Sequence, residues 1–207
     1  VSLVTGVLAL SPERGSAEIL FSQPVSRHAI LFGKLLGLFG ALAAAQAIGL
    51  GAAGLVIFWR SGQLGLAGYG LLFLGSLLLT AIFLGLAAVL ASGGTGRRAR
   101  ALALALIMWF AAVVLFDVAA LGIASLLPSG MASRVLILAV LVNPIGAVRT
   151  GALLAIQGTT AFGAASLAFL RFTKGPAGAA AILTLSVLVW LALPLWIAAR
   201  RMARADL

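Results

Sequence analysis

Apolar positions in this chain fall into long unbroken runs, with few amphipathic stripes. Four runs, 30–58, 69–90, 101–127 and 179–199, are each long enough for a helix to cross a bilayer, which takes ~20 apolar residues. A fifth run, 135–156, is interrupted by Asn143, Pro144, Gly146 and Arg149. Arg at the centre of an isolated span costs about 2.5–3.5 kcal/mol. This run therefore reads as a re-entrant or surface hairpin broken at Asn143-Pro144, its irregular backbone covered by protein. The opening VSLVTGVLAL is too short to span and lacks the basic flank of a signal peptide. It reads as the last half of a span whose beginning lies outside the sequence.

Polar text is scarce before residue 90, and most of it lies in SPERGSAEILFSQPVSRHAILFGK (11–34). Ser11, Pro12 and Glu13 have the order of an N-cap, a first helical residue and an acidic first turn. Pro24 ends that short helix, and Ser26 can cap the next one, which runs into the membrane. A short helix between two spans at a water-facing surface is a docking element.

Composition makes the class firm. Of 207 residues, 63% are hydrophobic and only 9% charged, as in an all-α polytopic membrane bundle rather than a soluble domain. The chain reads as one transmembrane domain over 1–207, with 1–10 the end of a span, 11–28 the docking segment and 128–178 an outer region. The net charge of +10 does not point to nucleic acid, because no soluble patch combines basic and aromatic residues. Basic residues cluster instead at the ends of apolar runs, in GGTGRRAR (93–100), RRMARADL (200–207) and the 11–34 segment. The positive-inside rule puts all three on the cytoplasmic side, with the C-terminus.

The first complete span repeats a small residue at every fourth position: Gly33, Gly37, Ala41, Ala45 and Gly49. Such a face serves close packing within the bundle or a dimer seam. Pro194 is expected to kink the last span, and Trp59 and Trp196 to lie at opposite interfaces.

Chemistry-bearing residues are few. Asp117 is the one acidic residue inside a span. It either locks the bundle by pairing with Arg149 or Arg134, or stands on a substrate or proton path. His28, the one histidine, lies at the cytoplasmic start of a span without a carboxylate cluster, so neither a metal site nor a catalytic dyad is expected. The chain has no Cys, no G-x-S-x-G and no Walker A motif. It therefore reads as a non-enzyme with no cofactor and no nucleotide site of its own. Arg134, Arg149, Arg171 and Lys174 crowd the outer side, as an anion exit, a surface for an acidic partner, or a solvated loop.

The stretch ERGSAEILFSQPVSRHAILFGK resembles the segment after the second span of ABC-2-type permeases, through Glu13, Gly15, Ser16, Glu18, Leu20, Pro24, Val25, Ser26, Arg27 and Lys34. In that family the segment is the coupling helix that fits a cleft on the ATPase. Further on, Phe116-Asp117 and Asn143-Pro144 followed by Arg149 are similar to the NosY permeases of nitrous-oxide-reductase maturation. The resemblance implies an inner-membrane, multi-pass, homodimeric permease that pairs with a cytoplasmic ATPase and a periplasmic partner. ATP hydrolysis would lie on the ATPase. The cargo would be a sulfur species for a copper-sulfide centre. A drug, lipid or ion exporter and a non-transporting scaffold are the alternatives.

The charge pattern predicts that single cysteines at Thr95 and Ala203 stay shielded from an impermeant thiol reagent added outside, while Ser129 and Thr173 positions are labelled. Labelling of the Ala203 position from outside would mean that 135–156 crosses completely.

Overall fold

The computed structural model describes residues 1–11, 27–61, 65–92, 98–157 and 164–204, and within these the protein is helical throughout. In chain order the helices are α1 (Ser2–Leu10), α2 (Arg27–Ser61), α3 (Leu66–Ala91), α4 (Arg98–Phe110), a π turn (Ala111–Leu115), α5 (Phe116–Ser125), α6 (Ser129–Val142), α7 (Pro144–Gln157), α8 (Ala164–Phe172) and α9 (Pro176–Arg204). Four described helices are long and apolar enough to cross a membrane, taking α4 to α5 as one. They lie where the apolar runs predict, to within a few residues at each end. The count is five if the bent pair α6–α7 is one span. That pair turns by 104° at Asn143. Pro194 is buried inside α9, which continues unbroken through it.

The chain divides into two compact units, to both of which the long helices contribute. The first holds 1–45, 80–109 and 191–207. Its core is Leu31 and Leu35 of α2, Leu84 and Ala88 of α3, and Ala198 of α9. α1 lies in this unit with Leu3 and Val7 fully buried. A Cβ on Gly6 would stand 2.6 Å from that of Ala87, so only glycine lets α1 lie this close to α3. Arg98 donates to the carbonyl of Leu8 and Arg201 to that of Val89, so basic side chains cap the last turns of α1 and α3. The Arg200 guanidinium stacks 4.0 Å above the Trp196 ring, which suits an interfacial tryptophan.

The second unit holds 46–79 and 110–190. Here Tyr69 donates its hydroxyl to the Leu50 carbonyl and Ser76 donates to Gln46 at 2.9 Å, tying α3 to α2. α7 lies along α3 with Val148 at Gly75 and Ile156 at Gly68, and it meets α9 where Gly151 faces Leu183. Residue numbers rise along α7 as they fall along α3, so the two helices are antiparallel.

Two sequence expectations need correction. Gly33, Gly37, Ala41, Ala45 and Gly49 are all exposed, and the three glycines have no neighbour within 4 Å of a built Cβ among the described residues. Among the described residues the stripe is therefore not a packing face, which leaves the dimer seam of the two alternatives. Thr173 is 5% exposed and bonded to the Phe169 carbonyl, because it closes the turn between α8 and α9. A cysteine there would be protected from the reagent whichever side of the membrane it faces.

The glycines separate by sign. Gly6→Ala should lower stability by about 1–3 kcal/mol through overpacking, and Ala87→Gly should recover part of the loss. Gly37→Ala meets open space within the single chain and should raise the stability of the monomer by about 0.5–1 kcal/mol through helix propensity. Unfolding in mixed micelles measures both.

Candidate functional site: a broken helix and an intramembrane ion pair

The site begins with a sequence rule. Proline disfavours helical geometry in the residue before it and cannot donate to the helix ladder. Asn143 accordingly sits in extended geometry, φ −95° and ψ 118°, and Pro144 takes the first position of α7, where its missing N–H costs nothing. Asn143 is only 4% exposed, so all its polar groups need partners. Its N–H donates to the Ala139 carbonyl at 3.1 Å and its C=O accepts from Ala147 at 2.9 Å. Its Oδ1 accepts from the Ile145 N–H at 3.0 Å, the side-chain cap that asparagine makes at a helix start.

The remaining group, Nδ2, reaches out of the hairpin and donates to the Ala112 carbonyl at 2.8 Å. Ala112 lies in the π turn, where Phe116 bonds back to Ala111, five residues earlier. Such turns interrupt the regular ladder and recur at functional sites.

The break also strands carbonyls in the last turn of α6. Two of them are taken by α9. Ser186 Oγ donates to Leu141 at 2.6 Å and Trp190 Nε1 donates to Val142 at 3.0 Å. Ser186 and Trp190 are four residues apart and share a helix face. Gly146 lets α7 fold back tightly: a Cβ there would lie 3.3 Å from Val140.

Above the break, the Arg149 guanidinium meets the Asp117 carboxylate at 2.9 Å. Of the two partners the sequence allows for Asp117, the structure brings up Arg149. Arg134 stands exposed on α6. Both members of the pair are partly exposed, 52% for Arg149 and 37% for Asp117, so the pair is not sealed in the chain's interior. It ties α7 to α5.

Sequence reasoning found Asp117, Asn143, Pro144 and Arg149, and the structure gathers them. It missed Ala112, Ser186 and Trp190. The signal for the last two was the proline itself, which requires donors for the carbonyls it strands. The expected ATPase-coupling residues Glu13, Gly15, Glu18 and Pro24 lie outside the described residues; Arg27 opens α2. His28 follows it in the first turn of that helix. Among the described residues no cluster of His, Cys, Asp or Glu could hold a metal ion.

Across residues 1–207 the chain matches the family profile of the ABC-2 family transporter proteins. It is 34% identical over 188 residues to the "Probable ABC transporter permease protein NosY" of Pseudomonas aeruginosa, covering 89% of this chain and 64% of that protein. It is 33% identical over 190 residues to the protein of the same name from Stutzerimonas stutzeri, covering 90% of this chain and 67% of that protein. The chain thus spans about two thirds of the length of these curated relatives.

The ion pair predicts non-additivity. Asp117→Asn and Arg149→Gln should each destabilise the protein by about 0.6–1.7 kcal/mol, the range for interhelical polar contacts in membranes. The double variant should lose little more than either alone. Additive losses would mean that the two side chains do not act together.

Proposed function

The chain belongs to the ABC-2 family of transporter proteins, and we propose that it is the membrane permease subunit of an ABC transporter. A separate cytoplasmic ATPase hydrolyses ATP, and this chain moves its spans in response. The carrying observation is the polar assembly at the broken helix. In a chain with 9% charged residues, an ion pair and a fully bonded Asn-Pro break converge from α5, α7 and the π turn. Intramembrane charge is costly and marks pathways by default. Asp117 and Arg149 close the path when paired and line it when apart.

The coupling element is the 11–28 segment, whose Glu13, Gly15, Glu18, Pro24 and Arg27 carry the family pattern. It docks on the ATPase and passes its motion on as a lever. α6–α7 is an outer re-entrant hairpin. The support is register: α7 runs parallel to α5, since 112 meets 143 and 117 meets 149. It also runs antiparallel to α3. α7 therefore heads back toward the side from which α6 descends, and the C-terminus falls on the cytoplasmic side of the inner membrane. The protein works as a homodimer, and the unused small-residue face of α2 suits a second copy.

The cargo is an anionic or uncharged sulfur species, delivered for the copper-sulfide centre of nitrous oxide reductase with the help of a periplasmic partner. Copper itself is a poor fit. A copper(I) path needs soft ligands, and this chain offers no Cys and three Met. Those three, Met108, Met131 and Met202, lie on α4, α6 and α9. The basic Arg134, Arg149, Arg171 and Lys174 suit an anion.

Vesicles holding the permease and its ATPase should move sulfide-type sulfur, and not copper, when ATP is supplied. Glu18→Lys should abolish that flux and ATPase binding while the permease stays inserted, because charge reversal at a desolvated contact costs several kcal/mol. Copper flux would overturn the cargo. Flux of neither, with drug or lipid movement in its place, would make the chain a different ABC-2 exporter. ATPase binding unchanged by Glu18→Lys would remove the coupling claim.

A further inference from the structure

Asn143 makes four hydrogen bonds, and three of them stay within α6 and α7. Only Nδ2, on the Ala112 carbonyl, leaves the hairpin. The next polar tie between the same two elements is Arg149 on Asp117. The two rungs are six residues apart on the hairpin side and five apart on the other.

The five-residue step explains the π turn. In a regular α-helix, positions five apart point about 140° away from each other, as 3.6 residues per turn requires. A turn closed by i→i+5 bonds holds more residues than an α turn, so residues five apart come nearer to one face. Ala112 and Asp117 are five apart; Ala112 lies in the π turn Ala111–Leu115 and Asp117 follows it in the first turn of α5. It allows one carbonyl and one carboxylate to face α7 together.

We propose that Asn143 is the positioning residue for the Asp117–Arg149 pair. Its amide, held on the π-turn carbonyl of Ala112, fixes the rotation and register at which α7 meets α5, and so delivers the guanidinium to the carboxylate. The inference deepens the reading of that pair as the closure of the transport path, and rests on it. Arg149 has a long side chain that tolerates a small slide of α7. It does not tolerate rotation of the helix, which carries the guanidinium to another face. A pin at the first residue of the helix prevents that rotation. A second pin is in place on the far side, where Ser186 and Trp190 hold the last carbonyls of α6.

The test separates the two jobs of Asn143. Asn143→Ser keeps an oxygen that can cap α7 but is too short to reach Ala112. In the full chain in lipid nanodiscs, the coupling between Asp117→Asn and Arg149→Gln is measured on the unfolding constant, first with Asn143 present and then in the Asn143→Ser background. With Asn143 the pair should change that constant by about threefold to tenfold beyond additivity. With Asn143→Ser the coupling should vanish, although the helix break is still capped. Coupling that survives Asn143→Ser overturns the proposal.

A second measurement covers the case in which Asn143→Ser folds poorly. The chain has no native cysteine, so Asp117→Cys with Arg149→Cys can be cross-linked by a short bifunctional thiol reagent in native membranes. Yield should drop severalfold on adding Asn143→Ser, and an unchanged yield overturns the proposal. The functional reading fails separately: sulfur flux undisturbed by Arg149→Gln would remove the pair from the path while leaving the positioning role to the coupling data.

Discussion

The second unit depends on one constraint: every backbone polar group at membrane depth must find a partner inside the protein. A continuous helix meets this by itself. The sequence breaks the helix at Asn143-Pro144, and the consequences spread outward from there. The proline strands carbonyls at the end of α6, and Ser186 and Trp190 of α9 are recruited to bond them. The asparagine must satisfy its own amide, and the π turn after α4 supplies the acceptor. Three helical segments are thus tied to one dipeptide. No buried side-chain polar atom among the described residues is left without a hydrogen bond.

The other unit uses a different device. Its contacts are apolar and close, and the closest depends on what is absent: Gly6 has no side chain where Ala87 lies. Between membrane helices the hydrophobic effect gives little attraction, so close van der Waals contact takes over. α1 leads directly into the 11–28 segment, and it is among the most buried elements of its unit. Arg98 and Arg201, on the last carbonyls of α1 and α3, reinforce the same end of the unit. The basic residues that the positive-inside rule counts as topology signals therefore also act as helix caps.

Electrostatics is sparing throughout, and this is what gives the Asp117–Arg149 pair its weight. A partly exposed pair contributes about 1 kcal/mol. Opening such a pair costs far less than breaking a packed core. Around the pair the neighbouring backbone is enclosed: Asn143, Pro144, Gly146, Ala147 and Thr150 are buried, while Arg149 is exposed.

The sequence by itself determined the helical class, the four long spans and the break in the fifth apolar run. These follow from local causes: the length of apolar runs set against bilayer thickness, and the steric effect of a proline on its predecessor. It also offered Asp117 a partner, because a lone intramembrane carboxylate needs one, but left the choice between Arg134 and Arg149 open. Tertiary structure decided that choice through the direction of α7. It runs back along α3 and alongside α5, so residue 149 passes residue 117 while Arg134 stays exposed on the other arm. Tertiary structure alone also decided which glycines matter. Gly6 and Gly37 look alike as sequence, and only the position of a neighbouring helix distinguishes a contact from open space. The π turn was equally hidden: AAVVL carries no local signal for it, and its geometry becomes useful only when Asn143 arrives from another part of the chain.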